Sequence, residues 1–97
     1  LQLTNAITVT NDMSVYNVAF LGSSNTLAGE ITNNNTTFDV ATGNTNTITG
    51  RLSGNGGVTK TGGGGLIIAG ANNNTYLGAT VISNGALILS NSSGNAI

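Results

Sequence analysis

Leu27-Ala28-Gly29-Glu30-Ile31 and Ile48-Thr49-Gly50-Arg51-Leu52 repeat one order of residue types: apolar, small, glycine, charged, apolar. They lie 21 residues apart. Leu66-Ile67-Ile68 and Leu87-Ile88-Leu89 are separated by the same 21 residues, and Val18, Phe38 and Val58 fall at intervals of 20. A β-sandwich needs no fixed return, because its strands pair antiparallel. A parallel coil does need one, since each turn must set the same inward side chain over the last. The sequence therefore predicts an all-β chain folded as a right-handed parallel β-helix (β-solenoid). At about 20–21 residues per coil, residues 1–97 make about four to five coils and form one segment.

Outward from these stretches, further short apolar bursts occupy residues 1–3, 7–10, 15–20, 37–40, 58–60 and 79–82. Asn, Gly, Ser or Asp bound each of them, residues that accept turn and left-handed conformations. No stretch holds a helical period. Asn (16), Thr (15), Gly (15) and Ser (8) supply 54 of the 97 residues, which suits the outward faces and corners of a coil. Disorder is argued against by a net charge of −1, the absence of proline and 29 Ile, Val and Thr residues grouped in bursts.

Only Asp12, Glu30, Asp39, Arg51 and Lys60 are charged, and His and Cys are absent. That removes zinc, haem and iron–sulfur sites of the usual kind, together with thiol and imidazole chemistry. Two cations cannot neutralise a nucleic-acid backbone or hold an anionic lipid surface. No apolar run exceeds four residues, as in Leu66-Ile67-Ile68-Ala69, so no membrane insertion by this segment is expected. No catalytic, metal or cofactor-binding residue is assigned, no cofactor is expected, and the chain is read as a non-enzyme. On the 21-residue return Glu30 comes beside Arg51 and Asp39 near Lys60, which predicts exposed cross-coil ion pairs worth about 0–1 kcal/mol each.

The remaining motifs point to structure, not to chemistry. Gly62-Gly63-Gly64-Gly65 follows Lys60-Thr61, but a phosphate loop needs Gly-Lys-Ser/Thr opening a helix, and here Thr59 precedes Lys60 while a strand follows. Thr-x-Thr at Thr8, Thr45, Thr47 and Thr59 does not recur at the coil spacing, so no stacked threonine array is predicted. Sequons begin at Asn34, Asn35, Asn73 and Asn91, about the number chance supplies, and do not indicate glycosylation. Asn33-Asn34-Asn35 and Asn72-Asn73-Asn74 are read as amide ladders at corners. Tyr76 is read as covering the end of an apolar stack with its hydroxyl at the surface.

Residues 56–87 carry Val58-Thr59-Lys60-Thr61-Gly62, Gly65-Leu66-Ile67-Ile68, Gly70-Ala71-Asn72, Tyr76-Leu77-Gly78, Thr80-Val81-Ile82 and Gly85-Ala86-Leu87 in that order. This resembles the autotransporter-associated β-strand repeat of type V secreted bacterial surface proteins. The Asn72-Asn73-Asn74 stretch is one or two residues longer than the family pattern. The resemblance implies an extracellular or cell-surface location and a structural or adhesive role as a stalk or self-associating fibre segment. Its implied partners are copies of itself, end to end or side by side, or adjoining coils of the same chain. Host or matrix glycans and proteins are further candidates. The alternative from another class is a segment of a carbohydrate-active β-helix whose reacting residues lie elsewhere.

Overall fold

A computed structural model describes residues 1–71 and 73–90. These residues form strands β1 (Gln2–Leu3), β2 (Thr8–Val9), β3 (Met13–Phe20), β4 (Thr26–Leu27), β5 (Ile31–Val40) and β6 (Thr45–Ile48). They continue as β7 (Leu52–Ser53), β8 (Val58–Thr61), β9 (Gly65–Ile68), β10 (Thr80–Ile82) and β11 (Ala86–Leu89). One sheet runs β1-β3-β5-β8-β10, with β7 also on β5; the other runs β2-β4-β6-β9-β11. The chain alternates between the two sheets except at β7 and β8, which lie in succession on β5, and every pairing is parallel. The molecule is a β-solenoid of about four turns.

The opening stretches prove to be one corner seen twice. Leu27 ends β4 and Ile31 begins β5, while Ile48 ends β6 and Leu52 begins β7. Leu27 pairs with Ile48 and Ile31 with Leu52, as the 21-residue return requires. The glycine is there for space. A Cβ on Gly50 would fall deep inside the 3.0 Å that such contacts respect, against the Gly29 carbonyl oxygen; one on Gly29 would meet Asn11 in the same way. Successive coils thus touch backbone to backbone at this corner.

Inward side chains stack in columns. Leu27, Ile48 and Ile68 form one, with Val9 at one end and Leu89 at the other. Leu3, Phe20 and Val40 form another, and Met13, Ile31 and Leu52 a third. Among the described residues, twelve apolar side chains are buried in a single core. Each fully buried large side chain contributes about 1.5–3 kcal/mol. β-branched and aromatic residues suit such half-buried pleated positions.

The coil length is not constant. Ala19 lies on Gln2, 17 residues on, and Thr26 lies on Thr8, 18 on. Later returns are 20 to 22, as in Ile67 on Thr47 and Thr59 on Thr37. The expected 20–21 therefore holds along β4-β6-β9-β11, at β5–β7 and in the second half of the β3–β5 pairing, while the returns into β8 and β10 are 22. The added residues go into outward detours: between the pairs Val15–Asn33 and Asn17–Thr37, one residue of β3 faces three of β5. One more residue is added between Ser53 of β7 and Val58 of β8, so the predicted series Val18, Phe38, Val58 breaks after Phe38. Val58 lies on Thr36, and Lys60 takes the place over Phe38.

Corners are closed by amide and carboxylate side chains that stand in for backbone carbonyls. Asn5 Oδ1 accepts from Ser23 N (2.7 Å), Asp12 Oδ1 from Glu30 N (2.9 Å) and Asn25 Oδ1 from Ile7 N (3.0 Å). Asn46 Oδ1 accepts from Asn25 N (2.9 Å), Asn35 Oδ1 from Gly57 N (3.0 Å) and Asn74 Oδ1 from Leu52 N (2.8 Å). A backbone donor left bare at a corner would cost about as much as a lost hydrogen bond. Five of the sixteen asparagines serve in this way.

Candidate functional site

The five charges do not assemble a reacting centre. Glu30 and Arg51 sit on adjacent coils as expected, yet the Glu30 carboxylate accepts from Ser53 Oγ (2.9 Å) and Arg51 Nε donates to the Asn73 carbonyl (3.2 Å). The Asp39–Lys60 pair is also not as predicted. The return from β5 to β8 is 22 residues, not 21, so Thr61 faces Asp39 and donates its hydroxyl to Asp39 Oδ1 (2.8 Å). Among the described residues no three His, Cys, Asp or Glu side chains group as metal ligands.

Lys60 instead points into the solenoid, with a relative exposure of 0%. Its aliphatic stem continues the Val18–Phe38 column. Its ammonium donates to the carbonyl oxygens of Thr61 (2.6 Å), Gly62 (2.9 Å) and Asn84 (3.4 Å). Burial pulls its pKa below the ordinary value, and the Asp39 charge pulls it partly back. The glycine run shapes this corner. Gly62 has φ 75° and Gly85 φ 71°, and a Cβ on Gly85 would press on Lys60 Nζ. The cation is a structural plug that gathers carbonyls from two coils. A buried ammonium is tolerated only with such partners.

The predicted amide ladders lie elsewhere in the chain. Asn25 and Asn46 are buried in one inward column, where Asn25 Nδ2 donates to Asn46 Oδ1 (2.9 Å) and Asn46 Nδ2 to the Gly22 carbonyl (2.9 Å). Leu66 and Leu87 continue the same column. Asn33, Asn34 and Asn35 form no ladder: Asn33 is buried opposite Val15, and Asn34 and Asn35 sit in the outward detour. Asn73 and Asn74 serve Arg51 and Leu52, while Asn72 and Asn91 lie outside the described residues. Single threonines do stack, as Thr8, Thr26 and Thr47, which the Thr-x-Thr spacing did not show. Tyr76 packs on the core and shares a hydrogen bond with the Thr80 hydroxyl; burial raises its pKa, and Thr80 partly offsets this.

Five of the eight exposed large apolar side chains among the described residues lie on the last described coil. Ile82 continues the Lys60 column but is 51% exposed, and Leu89 continues the fully buried Ile68 column but is 49% exposed. Leu77, Val81 and Ile88 are exposed beside them. Strands β10 and β11 each pair on one side only among the described residues. Among the described residues this surface combines strands paired on one side with apolar side chains in coil register. Comparison of the chain with protein-family models, curated proteins and solved structures finds no match.

Proposed function

We propose that the chain is a structural solenoid segment whose open coil face receives a further coil. Together they form a stalk or self-associating fibre of a bacterial surface or secreted, autotransporter-like protein. The observation that carries this is the abrupt change along each inward column, from complete burial at Lys60 and Ile68 to half exposure at Ile82 and Leu89. An apolar face with unpaired edges is a template for another strand layer. The next coil of the same chain satisfies it, and so does a second copy. The motif order over residues 56–87 and the near-neutral polar sides favour the surface-protein setting.

Sedimentation velocity over a concentration series, with electron microscopy, tests the stacking. Rods lengthening with concentration are expected, as is their loss in the double variant Ile82→Lys/Leu89→Lys. A chain that stays single at every concentration overturns self-association. The setting is tested by the reading frame around the segment: a C-terminal β-barrel region supports it, and a complete frame without one contradicts it.

A further inference from the structure

We propose that the outward detour of the middle coils is a binding site for a neutral oligosaccharide. The detour begins where Tyr16 of β3 faces the surplus residues of β5. Asn35 there takes the left-handed conformation, φ 56°, and the next coil answers with Gly54, φ 96°. Tyr16, Asn34, Asn35, Gly54, Asn55 and Gly56 line a cavity of about 480 Å³ between these turns. That volume accommodates a sugar ring with room for its neighbour.

The chemistry of the walls selects the ligand. None of the five charged residues lines the cavity, so neither phosphate nor a metal ion would find a counter-charge there. Tyr16 is 70% exposed and offers a ring face to an apolar sugar face. The amides offer donors and acceptors together, matching hydroxyls that are both. Asn34 Nδ2 is held by Ser14 Oγ (2.7 Å) and Asn35 Oδ1 by Gly57 N (3.0 Å), which fixes the two side chains. Asn34 Oδ1 and Asn35 Nδ2 are left without protein partners among the described residues. The glycines bring bare backbone to the wall; a Cβ at Gly56 would strike Asn35 N. Asn33, 1% exposed, lines the same cavity, and its side-chain Nδ2 and Oδ1 have no partner among the described residues. All the walls come from adjoining turns of one chain, so the site is independent of coil stacking.

The test is titration of the ¹⁵N-labelled 97-residue chain with four neutral probes: maltohexaose, cellohexaose, xylohexaose and chitohexaose. At least one is expected to give saturable shifts at the Gly54 and Gly56 amides and the Asn34, Asn35 and Asn55 side-chain amides. Tyr16→Ala is expected to weaken that probe at least tenfold, and Tyr16→Phe to retain it. Absence of saturable shifts at Gly54 and Gly56 with all four overturns the proposal. Binding unchanged in Tyr16→Ala, or tighter binding there of a sulfated heparin hexasaccharide than of any neutral probe, also overturns it. None of these results bears on rod formation.

Discussion

Replacing Gly50 by alanine separates backbone propensity from coil stacking. Gly50 does not have the positive φ found at Gly43, Gly54, Gly62, Gly70 and Gly85. On conformational grounds alone, alanine would stabilise by about 0.4–1 kcal/mol by restricting the unfolded chain. Stacking predicts the reverse, because the new methyl would be driven into the Gly29 carbonyl, a backbone atom that cannot swing aside. Relief requires opening the two coils where Thr49 N and Gly50 N donate to the Leu27 carbonyl (2.8 and 3.2 Å). Overpacking costs about 1–3 kcal/mol. Losing those two bonds adds about 1 kcal/mol each. The net expectation is a loss of about 2–4 kcal/mol after the entropic gain. Gly43 is the control: a Cβ there meets nothing within 4 Å, but φ is 85°, so Gly43→Ala should cost only about 1–2 kcal/mol of backbone strain. Urea unfolding followed by far-ultraviolet circular dichroism gives both values. A Gly50→Ala variant as stable as the parent would refute backbone contact between coils.

Three further outcomes follow from the buried polar groups and the surface charges. Because Lys60 has a lowered pKa in the fold, the unfolded chain holds a proton that the folded chain has released, in the window just below the ordinary 10.5. Unfolding free energy should therefore rise with pH through that window, and Lys60→Met should flatten the rise. Tyr76, its pKa raised from 10.0, acts oppositely, with stability lost as pH climbs through its folded value. The Lys60 comparison, by urea titration across alkaline pH, is accordingly made in Tyr76→Phe; an unchanged slope in Lys60→Met contradicts the assignment. Asn46→Ala strips the acceptor from Asn25 N and Nδ2 in a buried column and should cost about 2–4 kcal/mol, measured by the same unfolding. Glu30→Lys, at an exposed site joined only to Ser53 by its side chain among the described residues, should change stability by less than about 1 kcal/mol; a larger loss would show an ion pair that the geometry lacks.

The coil architecture was legible because inward positions must recur. Leu27 and Ile48, or Leu66 and Leu87, are bulky enough to make the return visible over polar neighbours. What the spacing hid is where residues are added without disturbing the core. An extra residue between Ser53 of β7 and Val58 of β8 takes the return on β5 from 21 to 22, which turns Lys60 inward and hands Asp39 to Thr61. A charged residue in an apolar period reads as outward-facing; only the local carbonyl cluster makes its burial possible. The asparagine corners were half legible: their abundance signalled turns. Which amide reaches the next coil, as Asn5 and Asn74 do, depends on register and not on sequence neighbourhood. Of the cavity beside Tyr16 only the Asn33-Asn34-Asn35 wall stood out in the sequence, since its walls come from residues about 20 to 40 positions apart.

Cross-linking of parallel coils in register tests the central claim most directly. The chain has no native cysteine to interfere. Thr47 pairs with Ile67 across β6 and β9 at the strand spacing of about 4.8 Å, within disulfide reach. Thr37 pairs likewise with Thr59 across β5 and β8, at the return of 22 that the sequence spacing alone does not give. Under mild oxidation, Thr47→Cys/Ile67→Cys and Thr37→Cys/Thr59→Cys should each lose two hydrogens by mass and close an intramolecular disulfide with the native circular dichroism retained. Free thiols in both variants under those conditions would contradict the solenoid.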